Sequence, residues 1–154
     1  MLRLKILASA LPLLVAAMLT RTEVGSVSHP CIAFGEVSAE LTPLFWTAGV
    51  HVAFTDDAER ATVRVQITDD ADAADFTVVD GGGSEGESCK DLPGKRLITI
   101  AAQPVDGGPV IHLSTEGPAD YRIYVRSRTF SPREAAALVV GARGGHRPLQ
   151  AASL

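Results

Sequence analysis

The sequence predicts an α+β domain: a mainly antiparallel sheet of about six short strands, packed on one face by an N-terminal and a C-terminal helix. Three observations lead there. Runs such as VRVQI and YRIYVR alternate apolar and polar residues with a period of two, the pattern of half-buried strands. Ser131-Pro132-Arg133-Glu134 reads as a helix start, with a capping box and Pro at the first helical position. The links between successive strand runs are only about eight residues long, too short for a parallel crossover, so neighbours joined this way are expected to be antiparallel.

The chain has 154 residues, the length of one domain. Aromatics make up 5% of it, so a core must come mostly from Val, Ile, Leu and Ala. The formal net charge is −4 and the pI about 5.5, which excludes the basic footprint that non-specific nucleic-acid binding requires.

Residues 1–17 read as a secretory signal peptide. Arg3 and Lys5 form a short basic head, Ile6 to Leu19 an apolar stretch, and Val15-Ala16-Ala17 supplies small residues for cleavage after Ala17. The apolar stretch is short for a spanning helix, which needs roughly 20 residues, and Pro12 interrupts it. Retention of residues 6–19 as a membrane anchor is the alternative. Cleavage would take Arg3 and Lys5 away and move the charge from −4 to −6. A periplasmic or secreted location follows, or an inner-membrane one if the segment stays.

Residues 18–35 read as a linker-like lead-in, residues 36–143 as the domain and residues 144–154 as a disordered tail. In the domain, Leu41, Leu44, Phe45 and Ala48 fall at helical spacing and Gly49 provides a stop, which predicts a short helix with Phe45 and Trp46 near the core. Strands are expected at VHVAF (50–54), TVRVQI (62–67), FTVV (76–79), LITIA (97–101), VIHL (110–113) and YRIYVR (121–126). GGGSEGESCKDLPG (81–94) is a loop by composition. EAAALVV then carries the C-terminal helix to Gly141.

One phrase occurs twice, in FTDDAERATVRVQI and ITDDADAADFTVV, and more loosely in LSTEGPADYRIYV. Each copy reads strand end, acidic turn, strand start. Asp, Thr and Ser at a strand exit bond to nearby backbone and favour turns. Asp70-Ala-Asp72 resembles the start of a calcium loop, but Asp75 stands where that loop needs Gly and no closing Glu follows. No metal site and no cofactor is expected.

Cys31 and Cys89 are the only cysteines, and in an exported chain they are expected to pair. Such a bridge would stabilise by roughly 4 kcal/mol in the loop-entropy model. The Gly-rich loop lacks a phosphate-binding signature. No G-x-S-x-G or H-E-x-x-H is present. His51 and His112 lie on the polar sides of predicted strands and would support acid–base chemistry if their strands were adjacent and an acidic turn lay close, which gives a small hydrolase or metal-dependent enzyme as one reading. The reading favoured is non-enzymatic. Arg64, His112, Arg122, Tyr124 and Arg126 fall on one outward sheet face, a candidate docking surface for a protein partner or an anionic ligand, because Arg and Tyr anchor interfaces and Arg grips carboxylates in a fork. A membrane-anchored accessory subunit of a larger complex is the third reading.

Overall fold

The period-two runs do become strands, but the described residues hold eight of them and their directions differ from expectation. The computed structural model describes residues 31–34, 36–80 and 94–144. The signal-peptide stretch, Cys89 with its Gly-rich loop, and the C-terminal tail lie outside the described residues. The strands are β1 (Cys31–Phe34), β2 (Val37–Leu41), β3 (Val50–Thr55), β4 (Val63–Thr68), β5 (Phe76–Val79), β6 (Gly94–Ile100), β7 (Val110–Ser114) and β8 (Tyr121–Arg126). They form one mixed sheet, a half-barrel, in the order β1-β2-β6-β3-β7-β4-β8-β5. Only β1 and β2 are antiparallel; every other pair runs parallel. Among the described residues a single α-helix, α1 (Pro132–Ala142), packs on the sheet.

The expectation of a mainly antiparallel, six-stranded sheet is therefore corrected, and the register shows why. Val50, which opens β3, lies level with Ile98 of β6, and Ile98 lies level with Leu41, which closes β2. Likewise Val63 of β4 is level with Ile111 and so with Phe54, near the end of β3. Phe76 of β5 is level with Ile123 and so with Ile67, near the end of β4. Each strand starts where its predecessor finished. A link has only to step sideways over one strand, roughly 10 Å, rather than travel back along a strand. Residues 42–49, 56–62 and 69–75 suffice for parallel connections that would be too short between level strands.

The repeated phrase builds this step. The Thr55 hydroxyl accepts the Asp57 N–H at 3.2 Å and the Asp57 carboxylate accepts the Glu59 N–H at 2.9 Å. Thr68, Asp70 and Asp72 repeat the pair at 3.2 and 2.9 Å. The residue before each new strand then docks on its neighbour twice. Asp120 donates its N–H to the Arg64 carbonyl and accepts the Arg64 N–H on its carboxylate, both at 2.8 Å. Asp75 does the same to Arg122, at 2.8 and 2.7 Å. Thr62 does so to Val110 through its hydroxyl. The side chain supplies a rung that the backbone alone lacks at the foot of a strand.

The core lies between the sheet and α1. Ala39, Val52, Val63, Val65, Ile98, Ile111 and Ile123 are fully buried against Ala135–Val140 of the helix. Alanines let the helix axis approach the sheet, and Gly141 comes closest: a Cβ there would sit 2.5 Å from Ile98 Cδ1. The capping box forms as the sequence predicts, with the Ser131 hydroxyl accepting the Glu134 N–H and the Glu134 carboxylate accepting the Ser131 N–H.

The expected N-terminal helix is absent from the described residues. Val37–Leu41 is a strand, and only a 3₁₀ turn, Phe45–Thr47, follows it. Leu44 N–H donates to the Thr42 hydroxyl at 3.2 Å and the Thr47 hydroxyl donates to the Leu44 carbonyl at 2.9 Å. These local bonds offer the backbone an alternative to a helix. Phe45 and Trp46 point outward, not to the core.

Candidate functional site

Alternation along a strand puts successive side chains on opposite faces. In β8, Tyr121 and Ile123 are buried beneath the helix, which leaves Arg122, Tyr124 and Arg126 on the outer face. In β4, Val63 and Val65 face the core and Arg64, Gln66 and Thr68 face out. The register makes β7, β4, β8 and β5 neighbours, with Arg64 beside His112, Gln66 beside Arg122, and Tyr124 between Thr68 and Thr77. All five residues singled out in the sequence thus share one continuous face.

They do not share one environment. The Arg64 guanidinium is half-buried and spent on the Ala58 carbonyl, at 3.4 Å from Nε and 3.2 Å from a terminal nitrogen. His112 Nδ1 lies 3.2 Å from the Thr55 carbonyl. Gln66, their neighbour, donates to the Thr115 carbonyl at 3.0 Å. These side chains fasten the links to the sheet. Arg122 and Arg126 are exposed, and neither forms an ion pair among the described residues, where the one ion pair is Lys95 with Glu40. Arg122 and Arg126 thus stand about 13 Å apart along the backbone of one strand, with the half-buried Tyr124 between them.

The row continues past the strand. Asp80, Val125, Arg126, Ser127 and Arg128 line a recess of about 470 Å³. Asp80 accepts the Ser127 hydroxyl and, at 2.6 Å, the Arg128 N–H. The Ser127 hydroxyl bond first, and then the Arg128 N–H, hold the Asp80 carboxyl below its ordinary value, so the carboxylate is committed to the turn and Arg128 is left to solvent. Asp80 and Arg128 carry no periodic signal and were not legible as part of the site. A second recess, about 560 Å³, lies where β4 and β7 end beside the start of α1, lined by Ile67, His112, Leu113, Thr115, Glu116 and Pro132 among others.

The acid–base constellation does not assemble. His51 is level with Thr99, and His112 is level with Thr55, four residues further along β3. That offsets the two residues by roughly 13 Å along the backbone of the sheet. His51 Nε2 lies 3.0 Å from the Phe45 carbonyl, so each ring serves a different link. Among the described residues no group of three or more His, Cys, Asp or Glu could hold a metal ion, and no helix is long and apolar enough to cross a membrane. Cys31 stands at the edge of the sheet in β1, within the stretch read as a lead-in, and Cys89 lies outside the described residues.

No protein-family model matches this chain, and no curated protein or solved structure matches it either.

Proposed function

We propose that the protein is a small exported, non-enzymatic binding module that takes an extended acidic segment of a partner protein along the outer face of β8. The observation that carries this reading is the row Arg122, Tyr124, Arg126, in which both guanidiniums are exposed and without an ion-pair partner among the described residues. An extended peptide repeats its side-chain direction every second residue. Carboxylates at positions i and i+4 of such a peptide match the guanidinium spacing, and residue i+2 lies over the Tyr124 ring. Arg offers each carboxylate a two-pronged hydrogen bond, and Tyr supplies flat contact area at little entropic cost. Arg126 and Arg128 extend the positive strip in a protein whose net charge is −4.

The test is binding of an extended peptide with Glu at i and i+4, compared with one of equal charge and Glu at i and i+3. The first binds more tightly, and binding weakens as salt rises. Arg122→Glu with Arg126→Glu abolishes it without loss of fold, because both side chains are exposed. Equal binding of the two peptides, or binding that survives the double substitution, refutes the reading.

The anchored accessory subunit remains a second reading, favoured by where the chain enters the sheet. Cys31 pairs with Glu40 at the end of β2 that leads directly into Thr42 and the exposed Leu44-Phe45-Trp46 turn. The hydrolase reading has no such support, since its two histidines stand apart.

A further inference from the structure

The β8 row does not stop where its strand does. Arg126, the last residue of β8, also lines the recess of about 470 Å³ that Asp80, Val125, Ser127 and Arg128 complete. Two of the lining residues are cations and one is an anion. A ligand seated there meets an excess of positive charge, in a chain whose net charge is −4.

The anion is already engaged. One Asp80 carboxylate oxygen accepts the Ser127 hydroxyl, and the other accepts the Arg128 N–H at 2.6 Å. The Ser127 oxygen in turn accepts the N–H groups of Thr129 and Phe130, at 3.0 and 2.9 Å. Asp80 therefore holds the turn that follows β8 in shape, with both oxygens occupied.

The cations are not engaged. Arg126 and Arg128 are exposed, and neither forms an ion pair among the described residues. Arg128 meets Asp80 through its backbone, so its main chain is fixed while its guanidinium is left to a ligand.

An extended segment that places a carboxylate on Arg126 brings its next group to the recess. If that segment continued, the group would be a neutral peptide unit. Arg128 would then be covered with no charge to meet it, which costs affinity. If the segment ends, the group is an α-carboxylate, which takes a two-pronged hydrogen bond from a guanidinium. An amino terminus has the wrong sign: an ammonium would face two cations, and the one carboxylate able to receive it is held by the turn. Capture of a chain end by its terminal charge is a known mode of peptide recognition.

We infer that the partner's acidic segment is its carboxyl terminus. It runs parallel to β8, its last residue is an acidic one whose side chain sits on Arg126, and its α-carboxylate sits on Arg128 in the recess. The inference rests on the reading of the β8 row as a docking strip, and it adds the direction of the partner and the place where it ends.

Isothermal titration of the full chain with three forms of one peptide is the test. All three carry Glu at i and i+4. In the first, the second Glu is the last residue and its α-carboxylate is free. The second form is the C-terminal amide. The third adds Gly-Gly after that Glu, which keeps the charge of the first form and moves the chain end away. The first form binds about tenfold more tightly than either of the others. Arg128→Gln keeps the backbone N–H that Asp80 receives; it removes this preference and leaves the affinity of the amide unchanged. Far-UV circular dichroism verifies that the variant folds. Equal affinity of the three forms, with the i, i+4 spacing still preferred over i, i+3, overturns the inference: the segment is then an internal one and the reading of the row survives. An affinity that depends on a free amino end instead overturns it too and reverses the partner's direction. Failure of every form to bind overturns the row itself and this inference with it.

Discussion

Gly141→Ala tests how tightly α1 is set into the sheet. The added Cβ falls 2.5 Å from Ile98 Cδ1, 2.8 Å from Cγ1 and 3.1 Å from Cγ2, so the whole Ile98 side chain would have to yield. Ile98 is fully buried and level with both Leu41 and Val50, so its neighbours leave it little room to move. Overpacking of this kind costs about 1–3 kcal/mol. Alanine recovers up to about 1 kcal/mol over glycine inside a helix, and less in the last turn, where Gly141 sits. The net expectation is a loss of about 1–2 kcal/mol. Ile98→Val removes the nearest atom, Cδ1, and by itself costs about 0.5–1.5 kcal/mol. The double variant should be more stable than the sum of the two losses predicts, by about 1 kcal/mol. Urea unfolding followed by far-UV circular dichroism gives all four corners of the cycle, provided the slope with denaturant stays constant. Additivity to within about 0.5 kcal/mol would show that the helix and Ile98 do not meet as described.

Asp75→Ala removes the carboxylate that receives the Arg122 N–H and should cost about 1 kcal/mol, with Asp75→Asn recovering most of it through its amide oxygen. Equal losses in the two variants, read from thermal melts, would mean the rung contributes nothing. Asp80 has a lowered folded pKa, so its bonds to Ser127 and Arg128 stabilise the fold above the ordinary aspartate value of 3.8, and that contribution is lost as pH falls through the lowered value. Asp80→Asn should therefore lower stability in the neutral region while leaving the acid end close to unchanged, which flattens the acid limb of the profile; an unaltered acid limb would assign that limb to other groups. If Cys31 and Cys89 pair as proposed, the intact mass falls about 2 Da below that of the reduced chain, and reduction costs about 2–4 kcal/mol; a full-mass species under oxidising conditions would rule the bridge out.

The facing of strands β3 to β8 was legible in the sequence, and the order of the strands was not. Period two alone fixes that Val63 and Val65 face one way and Arg64 the other, and the structure keeps that division in every strand that the candidate site uses. Strand order depends on the stagger between β3 and β4, which is set by contacts with β7, far away in sequence. A short link seemed to demand an antiparallel turn only because strands were assumed to lie level. The spacing of Leu41, Leu44, Phe45 and Ala48 suits a helix, but Thr42 and Thr47 close a local turn, and Leu41 belongs to a strand. β1 was missed because four residues beside Pro30 and Gly35 offer no period to read. At the candidate site, composition and facing pointed to Arg122, Tyr124 and Arg126. The commitment of Arg64 and His112 to carbonyls of the links could not be foreseen without the path of those links.

The interleaved strand order has a consequence for how the chain reaches its fold. Strands β2, β3, β4 and β5 all precede β6 in the sequence, yet none of them pairs with another; each gap between them is filled by β6, β7 or β8. The first half of the domain therefore has almost no sheet of its own while it emerges from the ribosome. Its backbone groups find partners only when the second half arrives and slots into the gaps. No half can serve as a stable intermediate, and nearly every pairing closes a long loop before it returns any energy. Such a topology should fold slowly, on the scale of about milliseconds to seconds, and in one cooperative step. A nascent chain halted before β6 should be as sensitive to protease as an unfolded one.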